Sequence, residues 1–221
     1  MLELRQISLR YPKQQDYLLK ELSLKFCPGT FSVLKGSNGS GKSSLLSIIS
    51  GIIPTHINAD FSGQVLYDEA DITWLPLSGR QNLLSFQMAS PESQFFFPSL
   101  AHELSFPLEN MGLAPREIKR RIAEVCGYFS LGDLLSIDAA TCSPGQQKLM
   151  LWALCELTDA PVILLDEPCS GVSPARQDLL FSWIDKLLSR KKIVIAASHE
   201  SRLIAMAEQV IELDRIRGVR S

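Results

Sequence analysis

The chain has no run of eighteen or so uninterrupted apolar residues, which excludes a membrane-spanning helix of ordinary length. Neither sign of charge is in excess: 22 Lys and Arg stand against 24 Asp and Glu, for a formal charge of -2. That balance argues against nucleic acid as the main partner. The opening residues, Met1-Leu2-Glu3-Leu4-Arg5, lack the basic and apolar regions of a secretory signal, so the chain is expected in the cytosol. Its five cysteines (27, 126, 142, 155 and 169) include no C-x-x-C pair and are odd in number. Free thiols are therefore expected rather than disulfides or a zinc site. Internal repeats and low-complexity tracts are missing as well. What remains is 221 residues, 46% hydrophobic and 21% charged, enough for one core or a domain with a subdomain.

Against these absences stands Gly36-Ser37-Asn38-Gly39-Ser40-Gly41-Lys42-Ser43-Ser44, which fits G-x-x-x-x-G-K-[ST]. Phe31 to Leu34 before it is β-favouring, and Lys42 to Ser50 after it carries Leu and Ile at helical spacing. A glycine-rich loop between a strand and a helix cradles polyphosphate. Its N–H groups turn inward, the helix contributes its positive end, and glycines allow positive φ and close approach. Gly36, Gly39 and Gly41 are read in that way. Lys42 can then reach the β- and γ-phosphates, and the Ser43 hydroxyl can ligate Mg²⁺. Four specified positions arise by chance in roughly one per cent of chains of this length, so an idle glycine-rich turn is a poor alternative.

Taken in order, Leu2 to Leu9 alternates as a half-buried strand and Tyr17 to Phe26 reads as a second. Pro54, Ser62 and Gly63 mark a loop region before a strand over Gln64 to Tyr67, and Leu83 to Gln87 reads as a buried strand. From Pro91 to about residue 158 prolines punctuate charged amphipathic pieces, and Pro115 to Val125 is expected to be a helix with a solvated basic face. This block reads as a helical subdomain, 91–158, inserted between core segments 1–90 and 159–221. Val162 to Leu165 and Lys192 to Ala197 are continuous apolar strands, with a helix over Pro174 to Ser189 between them. A short helix over Ser201 to Ala207 and a strand over Gln209 to Leu213 follow. The alternation predicts an α/β fold with a mainly parallel sheet covered on both faces and an antiparallel β layer beside it.

Three of these strands end in polar residues. Val162-Ile163-Leu164-Leu165-Asp166-Glu167-Pro168 carries two carboxylates to the C-terminal end of a buried strand, where ligands of open α/β sheets bind. Asp166 suits a Mg²⁺ ligand beside Ser43, and Glu167 a base for a water attacking the γ-phosphate. His199 ends the strand after Ile193 and could hydrogen-bond that phosphate, although a lone strand-end histidine is often structural. Gln87 could touch Mg²⁺ and water, or simply cap its strand. His56 and His102 are read as surface or loop residues.

The order of loop, Gln87 strand, helical insertion, Ser143-Pro144-Gly145-Gln146, Leu-Leu-Asp-Glu-Pro and His199 resembles the nucleotide-binding subunit of ABC transporters over nearly the whole chain. The resemblance implies a P-loop ATPase core with an antiparallel β subdomain and a helical subdomain. It also implies ATP and Mg²⁺ as cofactors, Tyr11 stacked on adenine, and coupling, metal, base and switch roles for Gln87, Asp166, Glu167 and His199. Ser143, Gly145 and Gln146 would serve, in trans, the ATP of a second ATPase subunit. A transmembrane subunit would complete the partners, with the chain peripheral on the cytoplasmic face of the membrane. The run from Phe86-Gln87 to Leu113, with Gln94, Glu103, Asn110 and Gly112, is similar to energy-coupling-factor ATPases that drive uptake of metal ions and vitamins.

Two departures stand out. The family's Leu-Ser-Gly-Gly-Gln signature reads Cys142-Ser143-Pro144-Gly145-Gln146 here, and Pro144 removes an N–H. Ser173 stands where the family has an aspartate. Both lie on parts that serve the partner's nucleotide or the interface, which points to a heterodimer rather than a homodimer. Readings from other classes are a soluble non-transport ATPase of the same fold and a degenerate subunit that holds ATP without hydrolysing it. Cys142 and Cys169 flank nucleotide-facing positions, where thiol modification could block turnover.

Overall fold

A computed structural model describes residues 1–217; the last four residues of the expected 159–221 core segment lie outside it. Strands β1 (Leu2–Arg10) and β2 (Leu19–Phe26) pair antiparallel. Leu2 and Leu4 point into the core, as do Ile7 and Leu9, although the two pairs have opposite parity. A register shift between Leu4 and Ile7, with Gln6 at φ 49, reconciles them, because one extra residue returns the apolar set to the inner face. β3 (Phe31–Lys35) then leads through the glycine-rich loop into α1 (Lys42–Ser50), which ends on Gly51 at φ 85. A single turn, α2 (Ile52–Thr55), precedes β4 (Asp60–Tyr67) and the short β5 (Ala70–Asp71).

β4 corrects the sequence reading. Ser62 and Gly63 were expected in a loop, but they lie inside the strand, paired with β1. The reason is the irregularity at Gln6. A Cβ on Gly63, at φ 107, would sit 2.7 Å from the carbonyl oxygens of Arg5 and Gln6, so glycine marks a close approach here rather than a turn. β2 likewise starts at Leu19 rather than Tyr17, whose ring packs under the Arg10 guanidinium at 5.0 Å. The antiparallel sheet runs β2-β1-β4-β5.

After a turn of helix α3 (Leu77–Arg80), β6 (Leu84–Gln87) enters the second sheet. Helices α4 (Leu100–Asn110), α5 (Pro115–Phe129) and α6 (Pro144–Thr158) follow and pack on one another. α5 continues past Val125 because Cys126 and Phe129 are buried against Trp152 and Trp183. His102 therefore lies on the exposed side of a helix, and His56 is exposed at the end of α2. β7 (Val162–Asp166), α7 (Pro174–Ser189), β8 (Ile193–Ala197), α8 (Ser201–Met206) and β9 (Gln209–Glu212) complete the alternation, and α9 (Leu213–Arg217) takes over where strand was expected to reach Leu213.

The second sheet is parallel throughout, in the order β6-β7-β8-β3-β9. Every residue of β7 and β8 is buried, as their continuous apolar sequences require. Ile163, Leu165, Val194 and Ala196 face the core shared with α4 to α8. Val162, Leu164, Ile193, Ile195 and Ala197 face α1 and the antiparallel sheet. This is the α/β fold that the sequence predicts, a parallel sheet covered on both faces with an antiparallel β layer beside it.

Arg80 locks the back of that assembly. It is 1% exposed, and its guanidinium donates to the carbonyls of Ile49 at 2.7 Å, Thr73 at 2.8 Å, Leu75 at 3.0 Å and also Ile72. One cation thus ties the C-terminal end of α1 to the exit of the antiparallel sheet. Burial pushes its pKa down to about 10, still charged at neutral pH. Arg80→Leu would leave the carbonyls of Ile49, Thr73 and Leu75 without this donor, Ile72 keeping the Leu75 N–H, and is expected to lower stability by about 3 kcal/mol, at 1–3 kcal/mol per unsatisfied buried group with partial relaxation. Urea unfolding of the two proteins would measure it.

Candidate functional site

Parallel strands present all their C-terminal ends on one rim, and here the order along it is Gln87, Asp166-Glu167, Ser198-His199, the glycine-rich loop, then Asp214. The register places Gln87 beside Leu165, Asp166 beside Ala197, and Leu34 beside the same Ala197. Segments more than a hundred residues apart in sequence therefore meet within neighbouring strands.

The loop uses its glycines in two ways. Gly39 at φ 77 and Gly41 at φ 103 take the left-handed backbone that their positions require. Gly36 does not, contrary to the expectation for all three. Its constraint is steric, since a Cβ there would lie 2.5 Å from the Ser40 hydroxyl. Gly41 offers no side-chain cap to α1, so the first-turn N–H groups face the loop for an anionic ligand. The Lys42 ammonium donates to the Gly36 carbonyl at 2.7 Å and the Ser37 carbonyl at 3.1 Å. Asn38 is exposed on the loop, and the Ser40 hydroxyl is buried without a hydrogen-bond partner. Tyr11, half-buried after β1, meets the Ser44 hydroxyl at 3.0 Å, which sets its ring beside the start of α1.

On the neighbouring strands, Asp166 is 4% exposed and Gln87 fully buried. Burial pushes the Asp166 carboxyl above its ordinary range, a hydrogen bond with Ser43 pulls it back, and adjacent Glu167 pushes it up again. Gln87 donates to the main-chain carbonyls of Met88 at 2.6 Å and Asp166 at 3.0 Å. Gln87 Oε1 and Asp166 Oδ1 are left buried with no hydrogen-bond partner. With the exposed Ser43 hydroxyl they form a set of hard oxygen donors of the kind magnesium prefers. Among the described residues no group of three or more His, Cys, Asp and Glu could hold a metal. An ion here would take its remaining ligands from phosphate and water, as magnesium usually does.

Glu167 lies in left-handed backbone at φ 46, with its N–H on the Ala197 carbonyl at 2.9 Å. Its carboxylate meets His199 Nδ1 at 3.1 to 3.2 Å, although the imidazole is 79% exposed. The signature residues lie apart from this group, at the exposed start of α6. Ser143 caps the helix and Gln146 returns its side chain to the Ser143 N–H at 3.1 Å, a capping box. Pro144 takes the first helical position, where proline costs no intrahelical bond. Gly145 leaves little room for a side chain, since a Cβ would stand 3.0 Å from the Gly171 carbonyl.

The comparisons with known proteins agree on one family. The family model described as ABC transporter matches residues 19–170. The chain belongs to the ABC transporter family. It is 28% identical over 221 residues to a putative ABC transporter ATP-binding protein of Pyrococcus horikoshii, covering 99% of this chain and 78% of that one. To the energy-coupling factor transporter ATP-binding protein EcfA1 of Thermotoga maritima it is 30% identical, over 89% of this chain and 72% of that one. Among solved structures, a dimeric ATP-binding cassette in a post-hydrolysis state bound to ADP and Pi superposes with a TM-score of 0.85 at 22% identity, over 96% and 94% of the two chains. The cbiO1 protein of Clostridium perfringens, part of the ABC transporter complex cbiONQ, gives 0.78 at 23% identity, over 96% and 83%. Within the family this chain is an ATP-binding, ATP-hydrolysing subunit that powers a transporter. No helix among the described residues is long and apolar enough to cross a membrane.

Several residues at this family site carry contacts that the sequence did not reveal. Gln94 was noted only as part of a pattern. Its amide accepts from the Met88 N–H at 2.7 Å and donates to the Phe86 carbonyl at 2.8 Å, clamping the backbone on both sides of Gln87. Asp214, in the first turn of α9, accepts from the Ser37 N–H at 2.7 Å and the Ser37 hydroxyl at 2.8 Å. Nothing in the local sequence separates that carboxylate from an ordinary surface one. Both cysteines beside the site have thiols shifted away from the reactive thiolate form. Burial pushes the Cys169 thiol up to about 12, and burial followed by Asp138 raises that of half-buried Cys142.

Lys42→Met removes an ammonium that can exchange loop carbonyls for phosphate oxygens. ATP affinity is expected to fall about ten- to hundredfold, as a lost charge-assisted hydrogen bond worth roughly 1.5–3 kcal/mol implies. Equilibrium titration with a fluorescent ATP analogue would record the loss.

Proposed function

We propose that this chain is one of two ATPase subunits of an energy-coupling-factor-type uptake transporter for a metal ion or vitamin, and that the rim described above is its own half of a composite ATP site. The observation that carries the site assignment is the meeting of Lys42, Gln87, Asp166, Glu167 and His199 at adjacent ends of one parallel sheet. Tyr11 stacks on adenine, and the N–H groups from Gly36 to Ser44 hold the phosphates. Ser43, Asp166 and Gln87 would hold Mg²⁺, which when bound would supply charge to offset that developing on the phosphates. Glu167 orients a water and takes its proton, while His199, hydrogen-bonded to that carboxylate, fixes its direction and senses the γ-phosphate.

The energy-coupling-factor assignment is supported by the likeness to EcfA1 and by the Gln94 clamp around Gln87. Glu103 extends that clamp, accepting from the N–H of Phe97 at 2.6 Å and of Phe96. Phe96 is 83% exposed, two residues after Gln94, which lines a groove of about 180 Å³ together with Leu77, Leu84, Phe86 and Met88. A helix of a transmembrane subunit would seat on this groove, and its push would reach Gln87 through Gln94. The chain then works at the cytoplasmic face of the membrane, with residues 91–158 as the moving helical subdomain against 1–90 and 159–221.

The partner is a different ATPase subunit. Pro144 offers no N–H where α6 would approach the other chain's phosphate, and Ser173, exposed ahead of α7, carries no charge across the interface. One composite site of the heterodimer would then be weaker than the other.

Glu167→Gln keeps the shape of the site but removes the base. Hydrolysis by the assembled complex is expected to fall at least about a hundredfold, the usual range for general-base loss, with ATP binding unchanged; a steady-state phosphate-release assay beside a binding titration decides it. Pro144→Gly restores the missing N–H. It is expected to raise turnover of the complex about tenfold, at the lower end of what one charge-assisted hydrogen bond contributes. An unchanged rate would remove the argument for a weakened signature.

A further inference from the structure

Burying an ammonium is unfavourable unless its charge and its donors are put to use. Lys148 is 2% exposed and is the only charged residue among those that α6 buries. Its Nζ donates to the main-chain carbonyl of Glu167. Beyond that bond, its charge faces Cys169, Glu167 and Asp166, and burial lowers its pKa. A leucine or methionine would suit the surrounding apolar helix, Leu149-Met150-Leu151-Trp152, as well as a lysine suits it badly.

The carbonyl it holds belongs to a residue in an unfavourable backbone conformation. Glu167 at φ 46 is a non-glycine residue in the left-handed region, which persists only when neighbouring groups hold it there. Two anchors do so on opposite sides of the residue. The Ala197 carbonyl receives its N–H at 2.9 Å, and Lys148 grips its carbonyl. The Ser170 N–H adds a weaker contact to the same oxygen at 3.2 Å. The carboxylate's direction toward His199 follows from the backbone beneath it. Without Lys148, that carbonyl keeps only the turn bond, and the side chain loses its aim.

We infer that Lys148 is a positioning residue for ATP hydrolysis, holding the Glu167 main chain so that its carboxylate faces the attacking water. The inference rests on the base role proposed above for Glu167. It also gives α6 a second duty. The helix whose start carries Ser143 and Gln146 braces, one turn further on, the glutamate of its own chain.

Three substitutions in the assembled complex separate positioning from simple packing. Lys148→Arg keeps charge and donors, Lys148→Gln keeps a neutral donor, and Lys148→Met keeps only the volume. Turnover with Mg·ATP, its KM, binding of a fluorescent ATP analogue and thermal melting would be measured for each, with Glu167→Gln alongside. The expected result is a kcat at least tenfold lower for Lys148→Met, a smaller loss for Lys148→Gln and near-complete retention for Lys148→Arg, with KM and affinity within twofold throughout. A kcat within twofold of the parent in a folded Lys148→Met, beside an inactive Glu167→Gln, overturns this inference alone. So does a loss of kcat matched by equal losses of affinity, or shared fully by Lys148→Arg. Should Lys148→Met not fold, Lys148→Gln is judged by the same criteria. Undiminished turnover in Glu167→Gln would instead sink the base assignment and this inference with it.

Discussion

The hydrogen-bonded register of five parallel strands is the constraint on which the site depends. Because β6, β7, β8, β3 and β9 all run the same way, every segment that leaves a strand must do so on one rim. Chain connectivity forbids short turns between parallel neighbours, so each return passes through a helix or a helical block. The helices cover both faces and keep water off the strands, leaving only the rim as a place for polar chemistry. Asp166 and Gln87 sit on the dry side of that boundary, and Ser43 and His199 on the wet side.

The boundary explains the electrostatics. A carboxylate at the end of a buried strand is desolvated and would rather be neutral. The compensations near Asp166 are a hydrogen bond with Ser43 and the charges of Lys42 and Lys148. All three lie on helices that start at or near the rim, and Ser43 and Lys42 stand in the first turn of α1. Buried acceptors left open at Asp166 Oδ1 and Gln87 Oε1 are costly in an isolated domain. Together with the pKa of Asp166, they mark the place where a divalent cation and polyphosphate would repay the desolvation.

A second constraint is close approach. Gly36 against Ser40, Gly51 against the Arg80 guanidinium and Gly63 against the β1 carbonyls each come within a distance that real Cβ atoms do not show, and Gly145 against the Gly171 carbonyl leaves only a tight fit. A proline is accommodated at position 144 on other grounds. The first helical position needs no intrahelical donor, and the Ser143–Gln146 capping box already satisfies the turn.

The site was legible wherever its chemistry is written in consecutive residues. The loop from Gly36 to Ser44, the Asp166-Glu167 pair after four apolar residues, and the continuous runs of β7 and β8 carry their own local signal, because period and composition reflect burial directly. The family resemblance then supplied fold and ATP use, and family membership bears both out. Gly63 misled, because a glycine pressed against a neighbouring strand reads like a glycine in a turn. Lys148, Gln94, Asp214 and Arg80 were silent for a different reason. Each acts through a carbonyl or N–H of another segment, and main-chain groups are identical at every position of a sequence. The sequence by itself determined where a glycine-rich loop, a strand-end carboxylate pair and the strands of a buried sheet stand, since those follow from side-chain chemistry and spacing. Only the tertiary structure decided what holds those residues in place, because that work falls to backbone partners no residue type announces.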